Sequence, residues 1–275
     1  MIDAHFHIWQ LARGDYGWLT PALGPIHRDV SLADWRAVAA PCGVLGGVLV
    51  QAAPTEAETA FLLHAAAQAP EVLGVVGWVD LLAPDAPARI ETLARQRKLK
   101  GLRPMLQDIA DPDWILQGGL RPALAAMARC GLVFDALVQA RHLPRMLRLA
   151  ERHPDLRIVI DHGAKPAIGG DAADAAGWAA WTQGLQALAD ETAVLCKLSG
   201  LWTEAATGAP VEALARHARW LLDAFGAQRC LWGSDWPVLE LAGRYDAWLA
   251  AARHWVAPQD QAAVFDTTAR RVYGL

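Results

Sequence analysis

Short apolar runs alternate with longer amphipathic stretches from one end of the chain to the other. The short runs are rich in Val, Ile and Leu and predict eight strands, at residues 2–5, 47–51, 73–79, 99–103, 132–136, 157–161, 194–198 and 230–233. The longer stretches repeat their apolar residues at helical spacing and predict helices at 55–69, 85–97, 120–129, 143–152, 175–190, 211–225 and 245–255. Runs such as 157–160 are apolar without alternation, which is typical of parallel strands buried on both faces.

The order of these elements predicts an α/β protein with a parallel sheet, because a predicted helix follows every strand after the first and returns the chain to the same edge. Eight such units within 275 residues favour a closed (β/α)8 barrel, the TIM barrel, over an open doubly wound sheet, which is the alternative. The sequence contains no linker or low-complexity tract, so residues 1–275 are predicted to form a single domain.

The clearest helix start is at Thr55. Glu58 follows it by three positions, before an apolar run, which is the pattern of a capping box. We therefore expect reciprocal hydrogen bonds between these two residues.

Four side chains suited to catalysis lie at the predicted carboxyl ends of strands, where barrels keep their active sites. His5 and His7 are two apart on the first strand and point the same way, His162 follows the sixth strand, and Asp235 follows the eighth. Three imidazoles and one carboxylate suit a divalent ion such as zinc, and Asp235 can also act as a general base toward water. The alternative for Asp235 is a helix N-cap, because Pro237 follows it.

Further candidates lie on the same predicted rim. Arg103 ends the fourth strand, where it can hold a substrate oxygen or form a structural salt bridge, and Gln51 ends the second strand. Lys165 and Lys197 are weaker candidates. Lys197 lies inside an apolar strand and is expected to pair with Asp135 or Asp161. Aromatic residues near strand ends are expected either to pack on the substrate or to belong to the core; they are Tyr16, Trp18, Trp78 and Trp236.

Charge and composition exclude several classes of function. A net charge of −4 leaves no basic surface for nucleic acid or an anionic membrane, and no apolar run reaches the ~18 residues that span a bilayer. The four cysteines are widely spaced in apolar stretches and predict buried, reduced thiols, so a cytoplasmic location is expected.

Several segments resemble the amidohydrolase superfamily and, within it, the amidohydrolase-2-type branch that holds sugar lactonases and pyrone dicarboxylate lactonases. The similar segments are residues 3–9, 15–21, 101–107, 161–166, 197–201 and 233–237. The resemblance implies a distorted (β/α)8 barrel, metal ligands at His5, His7, His162 and Asp235, and catalytic roles for Asp235 and His162. Arg103, from its place at the end of the fourth strand, is expected to assist them in catalysis. The sequence departs from the superfamily members that bind two metal ions, since its fourth strand ends at Arg103 and its fifth strand offers no lysine or histidine. One divalent ion, zinc, is therefore implied at most, and some members of this branch work without metal.

The function that the resemblance implies is hydrolysis of a sugar aldonolactone by a water that Asp235 activates. The substrate would contact Tyr16, Trp18, Gln51, Trp78, Arg103 and Trp236. Few cationic residues beyond Arg103 are available, which favours a neutral lactone over a pyrone dicarboxylate. The remaining alternatives are a zinc-dependent decarboxylase of an aromatic acid and a barrel that binds a small molecule without turnover. The sequence gives no oligomeric state.

Overall fold

A computed structural model of the protein describes residues 1–169 and 175–275. The loop expected at 164–177 therefore falls partly outside the described residues.

Eight parallel strands follow one another around a TIM barrel in chain order, as the sequence predicts. They are β1 (Ile2–Phe6), β2 (Gly46–Val50), β3 (Val72–Gly77), β4 (Leu99–Leu102), β5 (Val133–Ala136), β6 (Ile158–Ile160), β7 (Leu195–Leu198) and β8 (Cys230–Trp232). The barrel closes where β1 meets β8, through a bridge between Phe6 and Trp236 and a 2.8 Å hydrogen bond from the backbone of His7 to Trp236. The carboxyl ends of all eight strands therefore open onto one rim.

Helices surround the barrel, and their amphipathic faces cover the strands. They are α1 (Leu32–Ala39), α2 (Glu56–Ala67), α3 (Ala86–Leu93), α4 (Arg121–Arg129), α5 (Leu143–Arg152), α6 (Ala175–Glu191), α7 (Ala215–Phe225), α8 (Tyr245–Trp255) and α9 (Thr268–Tyr273). The pattern of apolar residues predicted neither α1 nor α9, and α3 ends four residues earlier than expected.

Helix α9 closes the end of the barrel at which the strands begin. Val272 and Tyr273 pack against the side chains with which several strands begin, such as Ile2 of β1 and Leu195 of β7. The hydroxyl of Tyr273 reaches further inside and donates a 2.6 Å hydrogen bond to Asp135. The floor of the barrel is thus apolar, with polar groups above it.

The predicted capping box at Thr55 forms only in part. The hydroxyl of Thr55 accepts the backbone N–H of Glu58 at 3.0 Å. The carboxylate of Glu58 does not return the bond, because it is buried and accepts the hydroxyl of Tyr16 at 2.5 Å and the N–H of Ala52 at 3.2 Å. Glu58 therefore ties the loop after β1 to the start of α2.

The four cysteines are all free, as expected, and Cys196 and Cys230 are buried. Cys42 and Cys130 are only half-buried, contrary to expectation, because both lie where a helix ends. Among the described residues, no helix combines the length and hydropathy that crossing a membrane requires.

Candidate active site

An irregularity in β1 turns two histidines into the barrel. Ala4 belongs to the interior cluster, whereas Asp3 and Phe6 contact Trp35 on the helical side. The register against β2 shifts between Asp3 and Phe6, so that His5 also faces inward and its ring approaches that of His7 to 4.9 Å. A strictly alternating strand would have kept Asp3 and His5 on one side.

The four residues predicted as ligands converge at the rim. The Nε2 atoms of His5 and His7 lie 3.2 Å apart, and Oδ1 of Asp235 lies 3.2 Å from Nε2 of His7. The same oxygen lies 3.6 Å from Nε2 of His5 and 3.8 Å from Nε2 of His162. Loops that are far apart in sequence thus place three imidazoles around one carboxylate.

The hydrogen bond on the far side of the His7 ring indicates where its lone pair points. His7 Nδ1 lies 2.8 Å from the carbonyl oxygen of Val50, which can only accept, so the neutral ring keeps a lone pair on Nε2. Donors contact both nitrogens of His5, because Arg103 Nη1 lies 3.3 Å from Nε2 and Lys197 Nζ lies 3.2 Å from Nδ1. A lone pair of His7 and an anionic oxygen of Asp235 therefore face one another, an arrangement that a cation between them would stabilise.

The spacing of these donors fits a divalent ion. Bonds of about 2.0–2.1 Å to nitrogen and oxygen place the ligands of a tetrahedral ion about 3.3 Å apart. The three separations among the donor atoms of His5, His7 and Asp235, 3.2 to 3.6 Å, bracket this value. His5, His7 and Asp235, with His162 beside them, are therefore the residues that would hold the ion.

A left-handed turn after β6 delivers His162. His162, Gly163, Ala164 and Lys165 all have positive φ angles, between 50° and 59°. Such angles cost roughly 1–2 kcal/mol for each non-glycine residue, so the surroundings must hold the turn in place. They do so through a 2.6 Å hydrogen bond from the indole of Trp181 to Gly163 and a 2.9 Å contact between His162 Nδ1 and Ser199.

A fully buried ionic layer lies inside the barrel beneath the histidines. Nζ of Lys197 lies 2.5 Å from Asp135 and 2.9 Å from Asp161, which confirms the pairing predicted from its apolar strand. The same ammonium lies 3.2 Å from Nδ1 of His5. Arg103 joins the layer from β4 and donates to Asp161 at 3.2 Å. The salt bridge predicted as one alternative for Arg103 is present. The side chain also lines the cavity, as the other alternative, contact with a substrate oxygen, requires.

Burial and charge set the protonation of the site. Burial lowers the pKa of His162 to about 4, although the charge of Asp235 acts to raise it. Burial and the charge of Lys197 lower the pKa of His5 well below its usual value. Burial acts to raise the pKa of Asp235, but the charge of His162 and the hydrogen bond with His7 outweigh it and lower that pKa. At neutral pH the site thus holds neutral His5 and His162 and an ionised Asp235.

Asp3 fixes the loop that carries Asp235, and sequence reasoning did not single it out. The carboxylate is fully buried and accepts the backbone N–H and the hydroxyl of Ser234 at 2.8 and 2.6 Å. It also accepts the hydroxyl of Tyr245 at 3.0 Å and the indole of Trp35 at 3.2 Å. The sequence feature that could have identified Asp3 is its position two residues before His5, on the same predicted strand.

A cavity of about 350 Å³ lies over the site, and His7, Arg103, His162 and Asp235 line it. Its lining includes the apolar side chains of Trp18, Leu23, Val238 and Leu241. It also includes the polar side chains of Gln107, Lys165, Thr203 and Glu204. A ligand there meets both hydrophobic surface and hydrogen-bonding groups.

The residues predicted to contact substrate divide into two groups. Trp18 and Arg103 line the cavity, and Trp18 is 38% exposed with its indole held by the carbonyl of Ala52. The others are not among the described residues that line it. Tyr16 donates to Glu58, Gln51 donates to the carbonyl of Arg103, Trp236 donates to Glu240, and the backbone of Trp78 is bonded to Thr59.

Comparison with known proteins adds to this geometry. A family profile described as amidohydrolase matches residues 2–275. The chain is 46% identical to an L-fucono-1,5-lactonase of Burkholderia ambifaria, over 99% of this chain and 94% of that protein. It is 36% identical to an L-fucono-1,5-lactonase of Burkholderia multivorans, over 100% and 96%. A crystal structure of an amidohydrolase from Burkholderia multivorans with bound zinc superposes with a TM-score of 0.93 at 34% identity, covering 100% of this chain and 99% of that one.

Proposed function

The chain belongs to the amidohydrolase family, and from that premise we propose that it is a lactonase that opens a neutral sugar aldonolactone such as L-fucono-1,5-lactone. The observation that carries the proposal is the placement of Asp235 among three imidazoles at the base of a cavity. The two Burkholderia relatives named for that activity match nearly the whole chain and support the substrate class.

In the proposed reaction Asp235 accepts a proton from water, and the resulting hydroxide attacks the lactone carbonyl. Asp235 is suited to this because it is ionised and lines the cavity. A carboxylate with a lowered pKa is a weak base, so the water must be made more acidic by nearby positive charge. Arg103 supplies one such charge within the site. A divalent ion, zinc in our proposal, would supply another when bound by His5, His7, His162 and Asp235.

The same groups stabilise the tetrahedral intermediate that the attack forms. Negative charge develops on the carbonyl oxygen, and donors fixed in a buried site stabilise it more than water does. Arg103 is held for this purpose by Asp161 at 3.2 Å and by a hydrogen bond from its Nη2 to the carbonyl of Gln51. The proton on Asp235 then passes to the ring oxygen as it leaves, which opens the lactone.

The shape and chemistry of the cavity support a sugar ring as substrate. Trp18 and Leu241 both line the cavity and are partly exposed, so the less polar face of a sugar can pack against them. Gln107, Lys165 and Glu204 also line the cavity and offer both donors and acceptors for hydroxyl groups. In this proposal residues 1–275 act as one catalytic domain in the cytoplasm, consistent with four free cysteines.

The experiment is a panel of aldonolactones, with acid release followed by a pH indicator. We expect turnover far above the spontaneous rate for at least one neutral lactone. Asp235→Asn should lower kcat by about 10²- to 10⁴-fold, the usual contribution of a general base. Asp246→Asn is the matched control, because Asp246 is an exposed partner of Arg244. No turnover on any lactone, or an Asp235→Asn variant as fast as the parent, would reject the proposal.

A further inference from the structure

An ion pair lies within the cavity wall, apart from the proposed catalytic groups. Nζ of Lys165 lies 3.0 Å from Glu204 Oε1 and donates a 3.0 Å hydrogen bond to the side-chain oxygen of Gln107. All three residues line the cavity, and the two charged side chains are about four-fifths buried, at 21% and 23% exposed. None of them takes part in the proton transfers proposed above.

The backbone holds this pair in place at a cost. Lys165 itself has a left-handed φ of 50° and ends the strained turn that begins at His162. The loops carrying the two charges are joined, since Ile168 donates to the carbonyl of Glu204 at 3.1 Å and Ala206 donates to Ile168 at 2.9 Å. Strain of this kind persists only where surrounding contacts enforce it, and it is concentrated at functional sites.

The charges around the cavity disfavour an anionic ligand. Its described lining contains two strong cations, Arg103 and Lys165. Arg103 is already paired with Asp161, and Lys165 is already paired with Glu204. The carboxylates of Asp108 and Asp235 also line the cavity. A substrate carboxylate would therefore meet no unpaired cation and would be repelled, whereas hydroxyl groups can bond to both members of the pair.

We propose that the Lys165–Glu204 pair determines substrate specificity: it binds the hydroxyl groups of uncharged lactones and excludes lactones that carry a carboxylate. This inference rests on the lactonase function proposed above. Glu204 acts as the excluding element, because it neutralises the cation that would otherwise attract an anionic substrate.

The test uses two lactones that differ at one carbon, galactono-1,4-lactone and galactaro-1,4-lactone. The second carries a carboxylate where the first has its terminal CH₂OH group. The parent should prefer the neutral lactone. Glu204→Gln keeps the shape and frees Lys165, so the ratio of kcat/KM should shift by about tenfold or more toward the anionic lactone, the effect expected of one charge-assisted hydrogen bond. The change should appear mainly in KM, because the pair binds substrate without taking part in proton transfer.

Two further variants complete the design. Lys165→Met leaves Glu204 unpaired and should weaken binding of both lactones, the anionic one more strongly. Glu91→Gln, in an exposed pair with Arg129 on α3 and α4, is the control and should change neither ratio nor KM. If the parent hydrolyses neutral lactones but Glu204→Gln leaves the ratio unchanged, this inference fails while the lactonase proposal stands. If the parent hydrolyses no lactone, the lactonase proposal itself fails.

Discussion

The backbone N–H of Asp235 donates a 2.8 Å hydrogen bond to the carbonyl oxygen of His5. This bond joins the last strand of the barrel to the first, at the point where the ladder between them is reduced to a single bridge. The distance between the proposed base and the histidines therefore depends on how well this seam is held. Asp3, which bonds to Ser234 beside Asp235, is the side chain that holds it.

Asp3→Asn should open this seam. Every partner of Asp3 donates a hydrogen bond, so an amide placed there must direct its NH₂ group at another donor whichever way it turns. Losing charge-assisted bonds in a buried site should cost about 3 kcal/mol or more in the free energy of unfolding. We expect a lower midpoint in urea and a loss of kcat, because Asp235 moves relative to His5.

Tyr245→Phe provides a graded comparison for that variant. It removes one donor to Asp3 and leaves the carboxylate bonded to Ser234, so the expected cost is about 1 kcal/mol. If Asp3→Asn destabilised the protein no more than Tyr245→Phe does, the seam would not depend on Asp3.

Gly200→Ala should displace His162. A Cβ atom at Gly200 would lie 2.3 Å from Nδ1 of that histidine, closer than any real contact, and the φ of 61° adds strain. We expect kcat/KM to fall by about 10²-fold, as misplacement of a catalytic group by about 1 Å can cause. Gly208→Ala is the control, because Gly208 has a φ of 76° but open space around it. Equal effects of the two variants on activity would show that backbone strain alone is responsible.

The sequence predicted the barrel well because the signal is repeated. Each of the eight strands is a short apolar run, a helical pattern precedes all of them from β3 onward, and a small error at any one boundary does not alter the order. Helix α1 escaped notice because Leu32–Ala39 follows a long irregular loop, and α9 because its apolar face covers the barrel floor from a position after the last strand.

The centre of the site was predictable, but its support was not. His5, His7, His162 and Asp235 follow strands whose carboxyl ends must meet. Asp3 could not be assigned, because its role depends on the register shift in β1 and on donors 231 and 242 residues away. The pairing of Lys165 with Glu204 depends on the left-handed turn after β6, which needs Lys165 at a positive φ that sequence patterns do not reveal.

Lys197→Met should destabilise the protein strongly. The substitution leaves Asp135 without its 2.5 Å partner in a fully buried layer and removes one of the cations that face Asp161. Breaking a buried pair in this way typically costs about 3–5 kcal/mol. The double variant Lys197→Met with Asp135→Asn removes one uncompensated charge and should recover part of the loss in urea unfolding. A double variant less stable than the single one would show that desolvated charge is not the cause.

Zinc should stabilise the protein through the histidine and aspartate cluster. With zinc at about 100 times its dissociation constant, the gain is about 2.7 kcal/mol, which for a chain of this size raises Tm by about 5–10 °C. His7→Asn should remove most of the shift, and chelator should reverse it in the parent. His254→Asn is the control, because His254 is exposed on α8. A shift of equal size in the His7 variant would place the ion elsewhere.

Glu58 should make the stability of the protein fall as the pH rises. Burial raises the pKa of its carboxyl from 4.5 to about 7, although the hydroxyl of Tyr16 acts to lower it. Between those values the folded protein binds a proton that the unfolded chain has released, so the contribution of Glu58 is full below pH 4.5 and lost by about pH 7. Glu58→Gln cannot ionise. Its free energy of unfolding should therefore rise relative to that of the parent by on the order of 2–3 kcal/mol across this window.

Urea unfolding of parent and variant at matched pH values measures this gain. Subtracting the two curves removes the contributions of other buried acids, such as Asp135, whose pKa burial raises to about 6. Tyr16→Phe tests the cause, since removing the 2.5 Å hydrogen bond should raise the pKa of Glu58 further and extend the decline above pH 7. A difference between parent and Glu58→Gln that stays constant from pH 4.5 to 8 would mean that Glu58 remains ionised in the folded protein, balanced by Arg13 at 3.5 Å.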